Sequence, residues 1–188
     1  MKQRLCLLTV AIHFACVPFA AAQADSGSEH KRLAEGVQDN SFLIEEAYNQ
    51  EEGVVQHILN VVYTNNTHAN PDEHMWSFVF TQEWPAFSQS HQLSYTLPYS
   101  YLESGGHSEN GINDILLNYR YQALTETDTM PAFAPRLSLV LPTGDADKGF
   151  GNGVVGYQAS LPFSKIISDR VTLHFNAGAT LSPDVQGH

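Results

Sequence analysis

The sequence predicts an all-β fold: an antiparallel up-and-down transmembrane β-barrel, represented here by about seven strands and therefore incomplete. Three observations predict it. From Val54 to Thr180 the chain repeats one unit, about ten residues of alternating apolar and polar character, and seven such units can be counted. Each unit is closed by a connection rich in Gly, Asn, Asp or Ser, and aromatics gather near the unit ends. Where lipid offers no hydrogen bonds, only helices and closed barrels satisfy every backbone group, and no stretch after residue 24 approaches the 18 apolar residues of a spanning helix.

Residues 1–24 read as an export signal. Lys2 and Arg4 form a positive start, Leu5 to Phe19 an apolar middle, and Ala22-Gln23-Ala24 a small-x-small cleavage site. His13-Phe14-Ala15 before Cys16 do not make a lipobox. Both cysteines, Cys6 and Cys16, fall in this leader, so the mature chain holds no disulfide framework, thiolate metal site or cysteine nucleophile. Loss of Lys2 and Arg4 with the leader takes the formal charge from −11 to −13. So acidic a chain is no partner for nucleic acid.

Residues 25–53 form a polar mature N-terminus. Its last part, Ser41 to Gly53, carries Phe42-Leu43-Ile44, then four acids and Tyr48, and suits either a short helix or an extended arm at a barrel mouth. The barrel is expected over 54–188. Val54–Tyr63 sets Val55, Leu59, Val61 and Tyr63 against Gln56 and Asn60. Met75–Trp84 sets Trp76, Phe78, Phe80 and Trp84 against Ser77, Thr81 and Glu83. His91–Tyr99 sets His91, Leu93, Tyr95, Leu97 and Tyr99 against Gln92, Ser94 and Thr96. Ile112–Tyr121 sets Ile115, Leu117, Tyr119 and Tyr121 against Asp114, Asn118 and Arg120. Phe133–Leu141 sets Phe133, Leu137, Leu139 and Leu141 against Arg136 and Ser138. Val154–Phe163 sets Val155, Tyr157, Ala159, Leu161 and Phe163 against Gly156, Gln158 and Ser160. Val171–Leu181 sets Val171, Leu173, Phe175, Ala177, Ala179 and Leu181 against Thr172, His174, Asn176 and Thr180. Period two with one apolar face marks a strand with lipid or core on one side only.

Length and aromatic placement favour lipid over a soluble sandwich or lipocalin-like barrel. Trp76 and Trp84 lie on one face, roughly 26 Å apart at about 3.3 Å per residue, or about 20 Å in depth once tilted by about 40°. An aromatic girdle is therefore expected from Trp76, Trp84, Tyr99, Tyr119, Tyr121, Phe133 and Phe163. With a periplasmic start, Thr64–His74, Ser100–Gly111 and Pro142–Gly153 would be long extracellular loops. Pro85–Ser90 and Ser164–Arg170 would be short turns, and Gln122–Ala132 an intermediate one. Seven strands is odd for a bacterial barrel, and no closing strand ends in an aromatic, so C-terminal strands are expected beyond this chain.

Glu83, Asp114, Asn118, Arg120, Arg136, Gln158 and His174 are expected to face the lumen. There they would tune solute passage or satisfy one another in a plugged interior. No metal site is expected: His68 to His74 matches no metal spacing, and Gly144 to Gly149 lacks the third ligand and final Glu of a calcium loop. No cofactor is expected. An enzyme is not expected either, since His91 beside Ser90 or Ser94 comes with no G-x-S-x-G elbow.

Several runs resemble a known family. They are Phe42 to Glu51 with Gly53 to His57, Phe80 to Pro85, His91 to Thr96, Asp114 to Tyr121, and Ala134 to Leu139 with Leu141 to Asp145. In this order they resemble the phenol degradation meta-pathway family across roughly Phe42 to Thr180. The resemblance implies an outer-membrane barrel of transporter type, and apolar or aromatic substances as its solutes. The sequence reading is thus a channel or transporter-like barrel in a bacterial outer membrane, with lipid and a small solute as partners. The alternative is a structural or adhesive barrel with a plugged lumen.

Overall fold

The computed structural model describes residues 44–168 and 170–183. The export signal and residues 25–43, Phe42 and Leu43 among them, lie outside the described residues. Within them the protein is all-β, a single antiparallel sheet curled into part of a barrel. No helix there is long and apolar enough to cross a membrane, which says nothing of strands.

The strands are β1 (Gln56–Asn66), β2 (Glu73–Ala86), β3 (Ser88–Ser104), β4 (His107–Ile112), β5 (Ile115–Tyr121), β6 (Ala132–Phe133), β7 (Arg136–Leu141), β8 (Gly156–Ser168) and β9 (Val171–Leu181). They make seven columns, because β4 and β5 share the flank of β3 and β6 and β7 share the flank of β8. The fourth column breaks at Asn113-Asp114. The fifth breaks at Ala134-Pro135, where proline brings no N–H to the ladder.

Register carries each face unbroken across the sheet. On one face Gln56, Glu83, Ser94, Asn118, Ser138, Gln158 and Thr180 pair in turn through all seven columns. One residue along, on the other face, run Trp84, Leu93, Tyr119, Leu137, Ala159 and Ala179. Burial sorts the two faces. Leu137 is 64% exposed while its neighbour Ser138 is 5% exposed. Among the described residues the buried polar side chains outnumber the buried apolar ones, and Gln92, Pro162 and Ser164 are the largest sealed from solvent. The buried apolar cluster is only Ala47, Ala132 and Ala134, with Tyr48 against it. The inner face is polar and the outer face apolar.

Strand positions follow the expected units, and β9 has the expected bounds. The connections are shorter than expected: strands take up the ends of Thr64–His74, all but Phe87 of Pro85–Ser90, and Ser164 to Ser168 of Ser164–Arg170. Ser100–Gly111 is not a long loop but the tip of a hairpin, in which Ser104 pairs with His107. Gly105 (φ 59) and Gly106 (φ 79) make its two-residue turn, a backbone that β-branched or bulky residues resist. The β4 sequence HSENGI has no apolar face because it stands away from the rest of the sheet, exposed along nearly its whole length.

Connections 67–72, 105–106 and 142–155 share one end of the sheet; Phe87, 122–131 and Arg170 share the other. The edges are open: among the described residues β1 touches no strand but β2, and β9 none but β8. Alternation makes the first and seventh columns run the same way, so pairing them directly would need a parallel seam.

Candidate functional site

The inner face is occupied. Before β1 enters the sheet, residues 44–50 cross the concavity without regular structure, resolving the helix-or-arm alternative in favour of an extended arm. Six backbone groups of this arm are satisfied by side chains, as buried main chain requires. The N–H of Ala47 donates to Ser164 Oγ (2.8 Å), that of Asn49 to Gln122 Oε1 (2.9 Å) and that of Gln50 to Gln92 Oε1 (2.8 Å). The carbonyl of Glu45 accepts from Asn176 Nδ2 (2.7 Å), that of Glu46 from Arg120 Nη1 (3.0 Å) and that of Ala47 from Gln122 Nε2 (2.7 Å).

Glu45 is the centre of the arrangement. One carboxylate oxygen lies 3.2 Å from Arg120 Nη1; the other lies 3.4 Å from Arg136 Nη2 and accepts from Ser160 Oγ at 3.1 Å. Arg120 also reaches Glu83 (3.4 Å), which accepts from Gln92 Nε2 (2.8 Å). Two arginines thus face two carboxylates in a nearly sealed space, where charge-assisted bonds are the strong kind. Toward β9, Glu46 lies 3.7 Å from His174 Nε2, and His174 Nδ1 lies 2.9 Å from Ser164 Oγ. Serine, histidine and acid stand in line here, but Ser164 is fully buried and accepts the Ala47 N–H of the arm that covers it. A third cluster pins the turn end: Glu126 accepts from Tyr48 (2.5 Å), Lys165 Nζ (3.1 Å) and the Ile166 N–H (2.9 Å).

The expected inward residues divide in three. Glu83, Arg120, Arg136 and His174 meet the arm directly or through one partner. Asn118 donates to Ser94 (3.1 Å), and Gln158 bridges Arg136 (3.1 Å) to Thr180 (3.1 Å), both in the polar row. Asp114 does something else. Its two oxygens accept the Gly144 N–H (3.0 Å) and the Asn152 N–H (2.8 Å), holding connection 142–155 at the far end. There Phe150 is buried on the inner face against Gly111, where a Cβ would come within 3.0 Å of its ring. Asp145, in the stretch with a calcium-loop look, caps its own turn by accepting the Asp147 N–H (3.1 Å).

The expected girdle residues lie on the outer face. Trp76 and Tyr99 sit toward the 67–72 end, where Tyr63 and Trp76 rings are 4.8 Å apart. Trp84, Tyr119, Tyr121, Phe133 and Phe163 sit toward the opposite end, with Phe133 stacked on Phe163 at 4.3 Å. Sequence reasoning gave no role to Glu45, Gln122 or Ser164, and put Gln92, Ser160 and Asn176 on the polar face without singling them out. A signal existed for Glu45: the arm concentrates acids, and Arg120 and Arg136 are the arginines on the inward side of the strands. Nothing marked Tyr48, Glu126 and Lys165.

A scan against models of known protein families finds no match to this chain, and a search of curated proteins finds none either.

Proposed function

We propose that this chain builds the wall of a β-barrel in a bacterial outer membrane and passes small solutes through a lumen that the arm 44–50 occupies at rest. The observation that carries this is the inversion of the two faces. Among the described residues, twenty-four large apolar side chains are exposed against six buried apolar ones. In water each exposed Leu- or Phe-sized group forgoes about 1.5–3 kcal/mol of burial, tens of kcal/mol together, against a usual net stability of about 5–15 kcal/mol. Lipid against the outer face restores that term, and the inner face keeps its hydrogen bonds. Export through the signal at residues 1–24 belongs to the same proposal.

A membrane barrel also needs partners for both edges, because each unpaired backbone group in hydrocarbon costs several kcal/mol. Further strands or a second copy would supply them. The concave lining is charged and hydrogen-bonding, which favours a polar solute over the apolar or aromatic class implied by the family resemblance.

A second reading has a specific observation behind it. The arm is bonded to six columns, as a permanent plug would be, and the barrel would then be structural or adhesive. Conductance in planar bilayers separates the two, using the intact chain and a variant lacking residues 44–50. Ion flow that rises on removing the arm supports passage. Silence from both proteins would leave only the structural reading.

A further inference from the structure

Glu45 sits where a small carboxylate would. The wall supplies Arg120 Nη1, Arg136 Nη2 and Ser160 Oγ, and the arm supplies the anion between them, with the Glu46 carbonyl as a further acceptor for Arg120 Nη1. Arg120 and Arg136 are paired across β5 and β7 on one face, where like charges opposite each other repel unless an anion bridges them. Arg120 is 6% exposed, and its Nε, like that of Arg136, is buried without a hydrogen-bond partner, so donor capacity remains beyond what Glu45 uses. Glu83 stays with the wall beside Arg120. If Glu45 leaves, two arginines face one carboxylate, and the cradle is one negative charge short.

We propose that this cradle is a binding site for small organic monocarboxylates, with Glu45 as the tethered occupant that a solute carboxylate displaces. The inference rests on the solute-passage reading and names its substrate class. Planar guanidinium groups match the two oxygens of a carboxylate, and Ser160 gives a third donor. A tethered carboxylate competes at an effective concentration in the millimolar range or above, so the intact chain hides most of the site's affinity. The arm then gates by occupancy: a solute that pairs with the arginines releases the residue holding the arm.

The test is equilibrium binding of sodium benzoate to the full chain in detergent micelles, by titration calorimetry at constant ionic strength in chloride. Benzamide serves as the neutral isostere and inorganic phosphate as the competing anion. Glu45→Gln is expected to bind benzoate at least about tenfold more tightly than the unaltered chain. Benzamide should not bind, phosphate should bind more weakly, and adding Arg136→Gln should abolish the gain. Equal benzoate affinity with and without Glu45, or equal affinity for benzamide, overturns the site. Phosphate binding as tightly as benzoate overturns the carboxylate assignment. Should Glu45→Gln fold poorly, benzoate but not benzamide should restore its heat-resistant folded form, and no restoration overturns the proposal. Benzoate binding with no conductance removes passage and keeps the site; conductance with no binding does the reverse.

Discussion

Replacing Leu97 by arginine places a charge where the outer face should meet the middle of the bilayer. Leu97 is 38% exposed and pairs with Phe80. Phe80 stands midway between Trp76 and Trp84, so about 13 Å of strand separates it from each aromatic end. An arginine facing lipid near the midplane costs about 2–4 kcal/mol, and one near the rim about 0–1 kcal/mol. Ile167, 57% exposed and next to the last residue of β8, provides the rim comparison. In water, neither substitution at these exposed positions should exceed about 0.5 kcal/mol. The difference amounts to roughly 25- to 700-fold in the folding equilibrium of Leu97→Arg. Denaturant titration in phosphatidylcholine vesicles, followed by the fluorescence of Trp76 and Trp84, reads it directly. Losses near 0.5 kcal/mol or less for both variants in vesicles would refute the lipid-facing assignment, since neither side chain would have met hydrocarbon.

Other perturbations probe the interior and the turns. Arg120→Ala leaves Glu45 and Glu83 in a nearly sealed space without their shared partner, and should cost about 3–5 kcal/mol in the same titration. Gln122→Ala removes the acceptor for Asn49 and the donor to Ala47, so cleavage by protease near the exposed Gly53 should speed at least several-fold while the strands stay protected. Asp114→Ala deprives two N–H groups of their acceptor, and hydrogen exchange at Gly144 and Asn152 should accelerate with no change at the arm. Gly105→Ala puts a side chain at positive φ and within 2.8 Å of Pro71, and should destabilise by about 1–2 kcal/mol; a neutral result would argue against the tight turn.

The strands were legible because their signal is local. Trp76, Phe78 and Phe80 alternate with Ser77 and Val79, and period two places them on one face whatever the rest of the chain does. The tip of the third hairpin was not legible, since β4 stands exposed and HSENGI carries no alternation to betray a strand. Inwardness of Arg120 and Arg136 could be read from phase; their partner could not. Glu45 lies 75 residues from Arg120 and 115 from Ser160, and such pairings depend on how the sheet curls. Asp114 shows the same limit from the other side. Its phase is inward, but whether it meets solute or loop depended on where Gly144 and Asn152 return.

The arm also ties the curled sheet together across columns. Backbone ladders join columns only in neighbouring pairs, and among the described residues only six apolar side chains are buried, three of them alanines. Glu45 reaches further than any ladder. Its carboxylate and carbonyl together contact Arg120 on β5, Arg136 on β7, Ser160 on β8 and Asn176 on β9. Gln50 extends the same tie to Gln92 on β3 and, through its side chain, to Gln56 on β1. The arm therefore bonds to both edge columns, β1 and β9, which share no backbone contact. One short segment thus ties together two columns that no ladder joins. Under the proposed passage, a solute that displaced Glu45 would loosen this tie as well as vacate the concavity, so its effect would extend beyond the two arginines.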